Sequence, residues 1–169
     1  MVTADGRIGP LHLDTSDRAD VIGFAGRPES ERRGRYSIYR PFDALGYGCR
    51  GKTVTDSGGT PFCKTIFYLD ARSGRLAILY TEDDRFVDVR GVHVGTPTAV
   101  AERLTHERVV SGCFDGLSFN TKTGFLVMWF YGGKDVFRHR LPHLVGGHVG
   151  LLVVHSRRLN PGVLDCIDS

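Results

Sequence analysis

Four cysteines and seven histidines are the side chains of this chain best suited to chemistry. Cys113, in Ser111-Gly112-Cys113-Phe114-Asp115-Gly116, could act as a nucleophile with His93 or His155 as its base, because a thiolate is populated near neutral pH only beside an imidazole or similar group. The plainer reading makes Cys113 a disulfide partner of Cys166, and no signature of a thiol enzyme surrounds the residue to argue otherwise. A second group, His139, His143, His148 and His155, falls within one short region, and imidazoles suit zinc or copper. The spacing of four between His139 and His143 aims both at one metal only on a helix. Pro142 and the flanking Gly pairs predict a solvated loop instead, so no metal and no cofactor is expected.

His12 and His93 sit between apolar residues in similar settings, Leu11-His12-Leu13 and Val92-His93-Val94. If the aliphatic neighbours point inward both imidazoles point outward, where a paired pH-sensitive site is conceivable and a plain surface role is simpler. Asp14, Asp17 and Asp20, like Asp83-Asp84, lack the alternate-residue ligand spacing, central Gly and closing Glu of a calcium loop. Acids at a helix N-terminus, favoured by the backbone dipole, explain the first group.

No Cys-x-x-Cys occurs, and the Cys and His spacings do not form a zinc-finger pattern. Two cysteines fall in each half, Cys49 and Cys63, then Cys113 and Cys166. Pairing within halves gives Cys49–Cys63 and Cys113–Cys166, one of three connectivities open to four cysteines, and implies an oxidising compartment. Four buried free thiols are the alternative.

The elements that must position these residues follow from pattern. Ile8–Pro28, IGPLHLDTSDRADVIGFAGRP, has a fainter copy at 90–108, RGVHVGTPTAVAERLTHER, so the chain divides into a disordered start (1–7), repeat 1 (8–89) and repeat 2 (90–169). In the first repeat Thr15 or Ser16 can cap a helix beginning near Asp17. Ala19, Val21, Ile22 and Ala25 share one side of it. Gly26 stops it by taking positive φ, and Pro28 prevents resumption. A solvated turn follows at 29–35. Tyr36, Ile38 and Tyr39 open a strand, Tyr47–Cys49 makes a short second one, and a polar loop runs from Arg50 to Pro61. Phe62–Leu69 and Arg75–Thr81 form a hairpin around Asp70–Gly74.

In the second repeat Thr96 is the candidate N-cap, with Pro97 at the first helical position. Ala99, Val100, Arg103 and Leu104 follow, and the helix ends near His106. Strands are expected at Gly116–Phe119, Phe125–Tyr131 and Val149–Ser156, and Val163–Cys166 can return toward Cys113. A Gly-flanked insertion, Gly132–Gly147, has no counterpart in the first half. Alternate residues of Phe125–Tyr131 are apolar on both sides, so both faces of that sheet need cover.

Composition bounds the rest. With 169 residues, 41% apolar and 24% charged, the chain can build a packed core. No apolar run approaches the roughly 18 residues of a membrane span. Net charge is only +3 and its arginines are scattered, which argues against nucleic acid. The first residues lack the apolar stretch of a signal peptide. The chain is then either cytosolic or the mature form of an exported protein.

A capped helix ending in Gly-Arg-Pro and a Cys-containing β-meander, done twice, resembles the tandem repeat of secreted β-lactamase inhibitor proteins and the small modules of outer-membrane assembly lipoproteins. The phrases LDTSDRADVIGFAGRP and RFVDVRGVHVGTP also resemble actinobacterial exported proteins of unknown role. The resemblance implies an α+β fold of two tandem repeats, each a short helix on an antiparallel meander, and a secreted or cell-envelope location. No functional residue carries over, because the first-half turn, Asp70–Gly74, has no aromatic residue to match the inhibitors' acidic-aromatic hairpin.

The functional expectation is a non-enzymatic, inhibitor-like module that binds a partner protein through its sheet face and loops. Its contact residues would be Trp129, Tyr131, Phe137, Arg138, His139, Arg140 and His143, with Phe67 and Tyr80 as further sheet aromatics that could equally be core. The alternative is a thiol-dependent enzyme using Cys113 with a His base.

Overall fold

The structure, a computed structural model, describes residues 1–3, 6–33, 41–49, 63–106, 116–120, 125–131 and 147–156, with backbone alone at 116–120 and 125–131. The chain is α+β, with two helices and antiparallel sheets. Hairpin β1 (Arg7–Ile8) and β2 (Leu11–His12) leads into α1 (Arg18–Ala25). Then come β3 (Ser30–Arg32), β4 (Phe42–Cys49), β5 (Cys63–Asp70) and β6 (Leu76–Thr81). Helix α2 (Thr98–Thr105) precedes β7 (Gly116–Asn120), β8 (Phe125–Tyr131) and β9 (Val149–Ser156). One seven-stranded sheet runs β3-β4-β5-β6-β9-β8-β7, antiparallel throughout.

The expected second hairpin strand and the expected strands β8 and β9 are where their β-branched and aromatic runs put them. Asp70 closes the β5–β6 turn, its Oδ1 accepting the N–H groups of Arg72 and Ser73, and Gly74 takes φ +68°. Strand β4 is longer than expected, starting at Phe42 because Ala44 and Leu45 also pair with β5. The 29–35 stretch is not wholly a turn. Ser30–Arg32 pairs with Ala44–Gly46 as a short charged edge strand, a form that discourages further pairing.

Burial sorts onto both faces. Leu45, Phe67, Leu69, Leu76, Leu79, Leu152 and Val154 join Val2, Ile8, Leu11, Leu13, Val21, Val92 and Ala101 in one core. Phe42, Ala44, Ile66, Tyr68, Ile78, Leu151 and Val153 form a second. At the start of the chain Val2 is 1% exposed and donates its N–H to the Val87 carbonyl at 2.7 Å, so this part of the expected disordered start is tied into the core.

The helices start by the same device. Asp14 N–H donates to the Leu76 carbonyl and Leu76 N–H to that of Ser16, at 2.8 and 2.7 Å. Gly95 N–H donates to the Val149 carbonyl and Val149 N–H to that of Thr96, at 2.7 and 2.8 Å. Each helix is thereby stapled to the first residue of β6 or β9. The pairing register then leaves Ala77 and Gly150 unmatched, one residue further along each strand.

This stapling moves the caps away from the expected residues. Asp17, not Thr15 or Ser16, caps α1: its Oδ1 accepts from Ala19 and Asp20, while Asp20 Oδ2 accepts from Asp17 N–H in a capping box. Ser16 Oγ instead accepts the His12 N–H at 3.0 Å. Thr96 Oγ1 likewise accepts the His93 N–H at 3.0 Å, and Pro97 takes the N-cap position of α2. Gly26 ends α1 at φ +85° and His106 ends α2 at φ +58°.

The inward side of α1 is narrower than expected, Ala19 being exposed while Ala25 packs against the core. Of α1 only Val21 is buried, and α2 buries Ala101 and Thr105 while Leu104 is 37% exposed. Position on the sheet, fixed by the staples to Leu76 and Val149, decides which side looks inward.

Candidate functional site

The best-defined constellation surrounds the disulfide. Cys49 and Cys63 face one another across β4 and β5 and are bonded. A Cβ at Gly46 would lie 2.5 Å from Cys63 Sγ and 3.1 Å from Cys49 Sγ, so the bridge occupies the space a side chain would fill. Gly48, at φ +63°, turns the strand between Tyr47 and Cys49. Glu29 accepts the Gly48 N–H at Oε1 and the Cys49 N–H at Oε2, both at 2.9 Å. Tyr47 donates its hydroxyl to the Gly26 carbonyl at 3.1 Å, and its pKa is raised, chiefly by burial and then by the nearby Glu31 carboxylate.

The second partners expected for this chemistry, Cys113 and Cys166, lie outside the described residues, as do Phe137, Arg138, His139, Arg140 and His143. The strand expected from Tyr36, the 50–61 loop and the Val163–Cys166 return lie outside them too. Trp129 and Tyr131 fall in β8 opposite Leu152 and Val149 of β9, a backbone placement only. Phe67 is core, 1% exposed with its ring edge-to-face against Phe24 and Tyr47, and Tyr80 packs half-buried on the second cluster.

Among the described residues the histidines do not assemble. His148 is exposed at the end of β9 and His155 is fully buried seven residues along it, roughly 20 Å away at strand rise. His155 Nδ1 meets the Ser156 carbonyl at 2.9 Å. His12 and His93 are half-buried and fold back on their own chain, each Nδ1 meeting the next residue's carbonyl, Leu13 or Val94, at 2.7 and 2.8 Å. A ring nitrogen bound to a carbonyl must carry a proton, so Nδ1–H is the donor at both. These rings brace the turns ahead of the helices.

The acids are likewise engaged. Asp14, at φ +65°, accepts from Ser156 Oγ at 2.8 Å and so ties the α1 start to the end of β9. Asp83 is 3% exposed; its carboxylate takes the backbone N–H, Nε and Nη2 of Arg85, with Lys64 Nζ at 3.6 Å. Hydrogen bonding from Arg85 outweighs burial and holds its pKa at about 2. Asp88 repeats the arrangement with Arg90 and also accepts Val92 N–H. This Asp-x-Arg spacing, present twice before α2, was a signal the sequence carried and motif reading passed over.

The remaining surface feature is apolar. Phe24 is 41% exposed although its ring edge rests on Phe67, and a Cβ at Gly9 would lie 3.2 Å from it. Gly9 N–H donates to the carbonyl of Met1, which is 68% exposed. Val2 bridges Asp88, and its neighbour Val89 is 54% exposed. Three of the exposed large apolar side chains among the described residues thus lie around the β1–β2 hairpin.

These elements define a disulfide-braced α+β chain whose single large sheet joins two helix-led meanders at β6 and β9. No protein-family model matches it, and no curated protein does. Among solved structures it is similar to the uncharacterized protein yfeY from Escherichia coli, at 14% identity and TM-score 0.48 over 91% of this chain and 98% of that one. It is also similar to an extracellular protein containing a SCP domain from Bacillus anthracis str. Ames, at 8% identity and TM-score 0.44 over 89% of this chain and 45% of that one. Among the described residues no helix is long and apolar enough to cross a membrane.

Proposed function

We propose that this chain is an exported, non-enzymatic binding module of two tandem repeats that recognises a partner protein. The Cys49–Cys63 bond favours an oxidising compartment, where such bonds persist. The paired staples, Asp14 and Ser16 with Leu76 and Gly95 and Thr96 with Val149, and the unmatched residue one step beyond each, support duplication. An inhibitor-like role is consistent with the resemblance seen in the sequence.

The observation that carries partner binding is Phe24. Isolated exposed apolar residues are ordinary, but an aromatic ring held in place by the core, with Met1 and Val89 also exposed on segments joined to the β1–β2 hairpin, is how binding surfaces present an anchor. Because both sheet faces are packed at their described positions, the interaction surface is assigned to this end of the molecule. The loop residues Phe137, Arg138, His139, Arg140 and His143 are a further candidate surface.

Capture from the extracellular and envelope fractions of the source organism, with immobilised oxidised protein, tests this. A specific partner should be lost at least about tenfold with Phe24→Ala or Val89→Ser, as expected for an anchor residue. Capture unchanged by these substitutions and by deletion of residues 132–147 refutes the surface. A rapidly alkylated Cys113 thiol in the native protein would instead favour the thiol-enzyme alternative.

A further inference from the structure

Four cysteines admit three pairings, and the structure holds Cys49–Cys63. The groups around β4 bear on that choice. The turn at Gly48 points the successive N–H groups of Gly48 and Cys49 at one carboxylate, that of Glu29, a nest-like arrangement. Glu29 is itself anchored, since its N–H donates to the Gly46 carbonyl at 2.9 Å and Tyr47 reaches Gly26 just upstream. On the same strand Gly46 leaves empty the volume in which the two sulfurs meet.

We propose that Glu29 and Gly46 form a pairing device that directs Cys49 to Cys63 in preference to Cys113 or Cys166. Glu29 is a positioning residue: it holds the N–H groups of the positive-φ turn at Gly48 that leads into Cys49, which faces Cys63 across the strand pair. Gly46 supplies the room. In glutathione the reaction is ordinary exchange. One cysteine thiolate attacks glutathione disulfide and expels a glutathione thiolate, and the second cysteine, after losing its proton to solvent, displaces the other glutathione. The protein dithiol is oxidised, one glutathione disulfide is reduced, and the two protons end on two glutathione thiols. Glu29 alters the encounter of the two sulfurs, not this chemistry.

Oxidative refolding of the full chain in glutathione buffers, followed by peptide mapping, tests the device. Glu29→Ala should lower the effective concentration of the Cys49/Cys63 pair by about tenfold, the scale of lost charge-assisted hydrogen bonds at an exposed site. Glu29→Gln, keeping one acceptor oxygen, should fall between, and serves if Glu29→Ala does not fold. Gly46→Ala should divert cysteines to other pairings. Glu31→Ala, which removes the exposed pair with Arg18 and the carboxylate near Tyr47 but leaves Glu29 in place, should leave the pairing unchanged. Wild-type pairing and effective concentration in both Glu29 variants overturns the proposal, as does an equal loss in Glu31→Ala.

Discussion

Gly46→Ala is expected to be costly only while the disulfide exists. The added Cβ would stand 2.5 Å from Cys63 Sγ and 3.1 Å from Cys49 Sγ, well inside van der Waals contact. The bridge cannot yield easily, because both sulfurs are anchored to paired strands and Glu29 holds Cys49 from outside. Overpacking of this kind costs about 1–3 kcal/mol. Removing the bridge by Cys49→Ala/Cys63→Ala has its own cost. The bonded residues are 14 apart in sequence, and the entropy of closing a loop of that size is worth about 3 kcal/mol. In that background the two sulfurs are gone and the residue 63 Cβ, at 3.3 Å, becomes the nearest contact. Gly46→Ala should then lose at least about 1 kcal/mol of its penalty, a coupling well above ordinary non-additivity. Denaturant unfolding of the four members of this cycle measures it, and the bridge-free variant should also melt about 6–12 °C lower. Strict additivity would refute the inference that the sulfurs occupy the Gly46 niche.

Three further outcomes are expected. Asp83 has a pKa depressed to about 2, so its interaction stabilises the fold above the ordinary carboxylate range and fades as pH falls from about 4 toward 2. With Arg85 largely exposed, roughly 1–2 kcal/mol should disappear over that window. Asp83→Asn should flatten it in acid unfolding curves; an unchanged slope would contradict the assignment. Asp17→Ala removes the Oδ1 that accepts the N–H groups of Ala19 and Asp20 at the α1 cap and should cost about 1 kcal/mol, whereas Thr15→Ala, outside the cap, should cost less in the same denaturant titration. Leu79→Ala, fully buried in the core beside the β6–β9 junction, should cost about 2–5 kcal/mol. A loss below 1 kcal/mol there would mean that the two meanders do not share that core.

Local instructions were readable wherever a short run of residues decides a short element. Gly26 with Pro28, Gly74 after Asp70, and the runs at 76–81, 125–131 and 149–156 each specify their own backbone, because turn φ values and β-propensity act over a few residues. The helix positions were readable for the same reason, but their caps were displaced. Ser16 and Thr96 side chains turn back to accept the N–H groups of His12 and His93, while their own carbonyls are committed to β6 and β9. No local rule contains that commitment.

Sequence by itself determined the α+β character, the positions of both helices, the β5–β6 hairpin and the expectation that Cys49 pairs with Cys63. Tertiary structure alone decided that β6 and β9 pair, that Val2 is buried, that Ala101 and Thr105 rather than Ala99 and Leu104 face inward, and that Ser30–Arg32 forms the sheet edge. The division follows from range. Caps, turns and strand propensity are set within a few residues, whereas burial depends on which distant surface arrives to exclude water, and that is known only when the whole sheet has closed.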